Sequence, residues 1–154
     1  MEVQPESYLK LLFALGLFNS LTADFIFRSM LQINFNKTYL SRLPLPQPTE
    51  SEILKNADYC FIARRALELQ RAADSQNNFA ELEALFPEVQ NFAHAPKKEL
   101  DFARAALDVK VAKLYGLTFE DFQHLISPAN FKVLNEKREE YLRILRGRDF
   151  WEKY

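Results

Sequence analysis

ELDFARAALDVKVAKLYGLTFEDF (Glu99–Phe122) carries the periodicity on which the fold rests. Leu100, Ala103, Leu107, Val111 and Leu114 recur at steps of three and four, the spacing of one apolar face on an α-helix. The helix is expected from about Lys98 to Tyr115, with Gly116 as its stop. Thr118 followed by Asp121 makes a capping box for the next helix, so the LYGLT corner reads as a rigid turn between two helices.

Outward from this corner the pattern stays helical. Ser7 to about Leu31 is apolar almost all round up to Phe18, so a helix there needs cover on most sides. Asn19 and Ser20 are poor in a helix interior and good as caps, which leaves one helix or two helices meeting at a bend. Asp24 and Arg28 are spaced as an i,i+4 ion pair. Thr49 and Glu52 form another capping box, opening a helix expected from about Glu50 to Ala73. A short helix is expected after Asn78, ending at Pro87, then loop over 87–97. A last helix is expected over about Phe131–Arg146. Only 3 glycines occur, which disfavours turn-dense β architectures.

NKTYLSRLPLPQP (Asn36–Pro48) breaks the pattern. Each proline fixes its own φ and biases the preceding residue towards extended backbone, so Leu43, Leu45 and Gln47 are extended as well. The segment reads as a short strand running into an extended strap. The fold class is mainly α, a helical domain with one short β or extended Pro-rich segment.

The formal net charge is −1, which argues against a free-standing nonspecific DNA binder while allowing a local contact strip. The single cysteine, Cys60, excludes an intrachain disulfide and a Cys-rich metal site, and the compartment expected is the cytoplasm. Leu11–Phe18 is short for a membrane span, and Asp24 and Arg28 interrupt its continuation, so no membrane association is expected. No Gly-rich phosphate loop is present, and His94 and His124 lack partners at metal-ligand spacing. Carboxylate pairs such as Glu139–Glu140 belong to charged helix surfaces. RILRGR (Arg143–Arg148) alternates with acidic residues and reads as mixed surface.

The better candidates are Arg28, Lys37, Tyr39 and Arg42. With Asn34 and Asn36 they gather donors for phosphates and base edges around the strap. From the residues alone, an ordinary connector is the favoured reading of the strap.

Two stretches resemble a known family. ESYLKLLFALGLFNSLTADFIFR followed by NKTYLSRLPLPQP resembles the end of a target-recognition domain in restriction-modification proteins, through Tyr8, Leu9, Leu11, Leu12, Leu17, Asn19, Ser20, Asp24, Phe25, Phe27, Arg28, Leu40 and Leu43 to Pro46. ARAALDVKVAKLYGLTFEDFQHLI resembles their C-terminal tail, through Leu107, Asp108 and Leu114 to Thr118. The resemblance covers about residues 6–48 and 98–127. It implies the C-terminal part of an adenine-specific DNA methyltransferase of the fused, type IIG-like kind. Residues 1–48 would end a target-recognition-like domain and 49–154 would form helical support, together one compact unit.

The family's NPPY-type tetrapeptide and its S-adenosylmethionine loop do not occur in this sequence. No catalysis is therefore expected of this chain alone. S-adenosylmethionine is expected only in a parent or partner catalytic domain, and the expected partners are DNA and that methyltransferase domain or subunit. The chain is expected to be a fragment, a split subunit or a truncated frame. A helical protein–protein module without a nucleic-acid role is the alternative, supported by the near-neutral charge and the aromatic-rich first helix.

Overall fold

Residues 8–30, 44–130 and 139–154 are described by the computed structural model. The described residues form a helical bundle whose elements are α1 (Leu9–Phe18), α2 (Leu21–Met30), α3 (Glu50–Lys55), α4 (Ala57–Ala73), two 3-10 helices (Ala80–Ala84 and Pro87–His94), α5 (Lys97–Leu114), α6 (Phe119–Leu125), α7 (Glu139–Leu145) and α8 (Arg148–Lys153). Pro44–Thr49 is extended without strand pairing, and the short strand expected just before it lies outside the described residues.

The apolar N-terminal run resolves into two helices bent by 68°. Ser20 makes the corner: its hydroxyl donates to the Leu17 carbonyl (2.7 Å) and accepts from the Ala23 N–H (3.2 Å). That local competition for backbone partners is why serine caps helices better than it continues them. No single helix among the described residues is long and apolar enough to cross a membrane.

Helix α5 is the axis. Its Leu107 and Val111 enter a core made with Leu9, Leu12, Phe13 and Leu17 of α1, Ile53 of α3, and Ile62 and Leu67 of α4. Its Ala105, Val109 and Ala112 enter a second core with Leu21, Phe122, Leu125, Leu142, Leu145 and Trp151. The Leu100–Leu114 stripe describes only the first of these faces. The second is built from small residues, and alanine carries little hydropathy signal while allowing helices to approach closely.

Both capping boxes are present. The Thr49 hydroxyl accepts from the Glu52 N–H (3.2 Å), and the Glu52 carboxylate accepts from the Thr49 N–H (2.7 Å). The Thr118–Asp121 pair repeats the arrangement, with the Asp121 N–H to the Thr118 hydroxyl at 3.1 Å and the Thr118 N–H to the Asp121 carboxylate at 3.0 Å. These backbone N–H bonds hold the Glu52 and Asp121 carboxyls below their ordinary range. Gly116 takes φ +75°. The Gly116 N–H donates to the Lys113 carbonyl (2.9 Å) and the Leu117 N–H to the Ala112 carbonyl (3.1 Å), the paired closure of a Schellman motif.

Four expectations need correction. The helix expected over 50–73 breaks at Asn56, whose ψ of 115° leaves helical space and whose side chain accepts from the Asp58 and Tyr59 N–H groups. Asparagine supplies the second N-cap that ends one helix and starts another. The helix expected after Asn78 is a 3-10 turn without a side-chain cap, and the expected loop after Pro87 is also 3-10. Asp74 accepts both the backbone N–H and the side-chain amide of Asn78, and the N-cap position falls to Phe79, which has no side-chain acceptor. The final helix expected to Arg146 stops at Leu145, and α8 follows Gly147; residues 131–138 lie outside the described residues.

Ion pairs fasten the 3-10 segment to α4. Arg71 meets Glu83 at 2.9 Å, and Arg64 bridges Glu88 (3.5 Å) and Glu68 (3.7 Å). Burial pushes the Glu68 carboxyl up, against the opposing pull of Arg65 and Arg64.

Gly16 is where α1 crosses α4. A Cβ there would stand 2.6 Å from Ile62 Cγ2 and 3.0 Å from the Ile62 carbonyl oxygen. Backbone cannot yield as a side-chain tip can. Gly16→Ala is expected to lower stability by roughly 1–3 kcal/mol despite the better helix propensity of alanine. Chemical denaturation checks this, and an unchanged or raised midpoint would refute the crossing as tight.

Candidate nucleic-acid interface

Of the strap-region candidates, Arg28 is on α2. What fixes α2 is a buried carboxylate. Asp108, on α5, is 2% exposed. Its Oδ1 accepts the Leu21 N–H at 2.7 Å, and its Oδ2 accepts the Tyr141 hydroxyl of α7. Leu21 is the first residue of α2, so the acceptor meets one of the N–H groups that no helix satisfies internally. Negative charge at that end also complements the helix dipole.

Tyr141 is affected in turn. Burial first, then the adjacent Asp108 charge and hydrogen bond, hold its phenol well above the ordinary value of 10.0. Beside this junction opens a cleft of about 420 Å³, lined by Asn19, Lys97, Asp101, Arg104 and Glu140 along with the junction residues. The lining charges are of both signs. Lys97 approaches Asp101 (3.6 Å) and Glu140 (3.9 Å), and Arg104 approaches Asp101 (4.0 Å).

At the other end of α2, the Arg28 Nε donates to Asp24 Oδ1 at 2.8 Å, the i,i+4 pair expected from the sequence. The Arg28 side chain is 54% exposed, so its guanidinium reaches solvent while Asp24 holds one edge. Phe27 stacks on Phe18 with ring centroids 5.4 Å apart, tying this end of α2 back to α1. Lys37, Tyr39 and Arg42 lie outside the described residues.

The sequence reading singled out Arg28 from its chemistry and Asp108 only as a carrier of the family resemblance. It missed Tyr141, whose bond to Asp108 spans 33 residues and leaves no local pattern. Among the described residues no three His, Cys, Asp or Glu side chains are grouped to hold a metal ion. Cys60 is half-buried against the first core.

No family model, no curated protein and no solved structure matches this chain.

Tyr141→Phe removes a hydrogen bond to a buried carboxylate and is expected to cost about 1.5–3 kcal/mol. Asp108→Ala is expected to cost more, since it strands both the Leu21 N–H and the Tyr141 hydroxyl. The pH dependence has a definite sign. The folded chain holds the Tyr141 proton beyond the ordinary value of 10.0, so this stabilisation is complete below pH 10.0 and is lost as pH rises above it. Denaturation curves across that range should show the stability gap between wild type and Tyr141→Phe narrowing. A gap that is constant or widens would contradict the assignment.

Proposed function

We propose that this chain is a DNA target-recognition and support module of an adenine-specific DNA methyltransferase or restriction-modification enzyme, with no catalytic activity of its own. One observation carries the reading. The two stretches that resemble this family meet in space: the Leu21 N–H, immediately after Asn19 and Ser20, is received by Asp108, 87 residues further along. Leu21 lies within the first of these stretches and Asp108 is one of the residues quoted for the second, so the bond joins the two in one junction. In this reading α5 braces the corner from which α2 and the strap set out. Arg28, Lys37, Tyr39 and Arg42 supply contacts to DNA, mainly to phosphates. S-adenosylmethionine and the flipped adenine belong to a catalytic domain or subunit that this module serves.

A second reading has its own support. Leu11 is 64% exposed, Phe79 44% and Phe18 38%. Leu11 and Phe79 belong to an apolar groove with Tyr8, Leu12, Leu15, Leu67 and Leu82. A helical protein–protein module would use such a surface without touching nucleic acid.

A salt series separates the two. Labelled duplex DNA titrated with the chain is expected to bind with an affinity that falls steeply between about 50 and 200 mM salt. Arg42→Ala should weaken binding and reduce the slope of log K against log salt by about 1. Salt-independent binding, or none, would sink the DNA reading and favour hydrophobic docking. An unchanged slope in Arg42→Ala would remove that residue alone.

A further inference from the structure

Three helices bring polar side chains to one small cavity. Asn19 caps the end of α1, Gln70 is on α4 and Arg104 is on α5, and all three line a space of about 220 Å³ together with Leu15, Leu69 and Leu107. None of the three is engaged by a neighbour. Among the described residues no hydrogen bond reaches the side-chain amides of Asn19 and Gln70. Arg104 comes no closer to a carboxylate than 4.0 Å, at Asp101, beyond hydrogen-bond reach. Lys97 stands nearer to that carboxylate, at 3.6 Å, and no acidic residue lines the cavity itself.

The cavity continues. Leu15 and Gln70 also line the apolar groove of Leu11 and Phe79, so the two hollows adjoin as one trough, polar at one end and apolar at the other. A guanidinium offers a planar fork of donors that matches both oxygens of a carboxylate. Side-chain amides add an acceptor as well as donors, which suits a carboxylate that follows an amide N–H. Small-molecule sites bury most of their ligand. This trough is open, with Leu11 64% and Phe79 44% exposed, so an occupant lying in it keeps one side in water. A polypeptide can turn backbone and polar groups to that side; a bare hydrocarbon chain cannot.

We propose that the trough binds the C-terminus of a partner polypeptide whose last residues are apolar. Its terminal carboxylate meets Arg104, its last amide N–H meets the Asn19 and Gln70 amides, and its apolar side chains rest on Leu15, Leu11 and Phe79. The single uncompensated fork at one end sets the direction of the bound chain. The site needs nothing from Arg28, Lys37, Tyr39 or Arg42, so it stands whether or not the strap contacts DNA.

Fluorescence anisotropy with the full chain tests it. The probe is a short fluorescein-labelled peptide with a Gly-Ser body ending in Leu-Ala-Leu-Leu, made once with a free C-terminal carboxylate and once as the C-terminal amide. The free acid is expected to bind, and the amide to bind more weakly by roughly tenfold or more, the scale of one charge-assisted hydrogen bond. Arg104→Gln should bring the acid down to the level of the amide and leave the amide unchanged. Leu11→Ser with Phe79→Ser should weaken both forms and keep their ratio. All these changes are at exposed positions, and circular dichroism establishes that each variant is folded. If the serine variant is not, Arg104→Gln decides alone. No binding of the free acid, equal affinity for acid and amide, or a folded Arg104→Gln variant that keeps the preference would overturn the proposal. Displacement of the peptide by dodecanoate at equal concentration would overturn it too, showing a fatty-acid site. The probe carries no phosphate, so its outcome and that of the DNA titration are read separately.

Discussion

A single buried carboxylate sets the relation between three helices. Asp108 sits on the face of α5 that looks towards both the start of α2 and the middle of α7, and gives one oxygen to each. A charge that is 2% exposed is costly to bury unless its acceptor capacity is used. The same cost makes the arrangement specific. A helix start placed elsewhere, or a tyrosine turned away, would leave a buried charge short of donors. Apolar contacts between Leu21, Val109 and Leu142 fill the space around it, but hydrophobic contact has no direction and tolerates sliding. The hydrogen bonds supply the direction.

The packing of α5 explains why two cores need no boundary between them. Leu107 and Val111 serve one, Ala105, Val109 and Ala112 the other, and both are reached from the same two turns of helix. Alanine on the second face lets α7 come close enough for Tyr141 to reach Asp108. A larger side chain there would separate the helices. The polar junction thus depends on the smallness of its apolar neighbours.

Local features of the fold were legible because their causes are local. Thr49 with Glu52, Thr118 with Asp121, and Gly116 after Tyr115 each satisfy backbone groups within a few residues, and each is where the sequence placed it. The Asn56 break was hidden because asparagine is tolerated inside a helix, and only packing reveals that here it caps the next one. The alanine face was hidden because periodicity analysis weighs large apolar residues. In the candidate interface, the Arg28–Asp24 pair was readable at four-residue spacing. The Asp108–Tyr141 bond was not, because nothing in either segment signals the other.

The strap has a consequence for how the molecule meets other chains. In extended backbone, alternate residues turn their N–H groups to the same side. Pro44, Pro46 and Pro48 are alternate residues, and proline has no N–H, so one side of the described segment 44–48 carries no donors. Pro48 is buried, and the Thr49 N–H is already taken by Glu52. An exposed extended segment ordinarily invites a stray strand to pair along it. Here the ladder cannot be completed from the proline side, which leaves only the Leu45 and Gln47 side with N–H groups to offer.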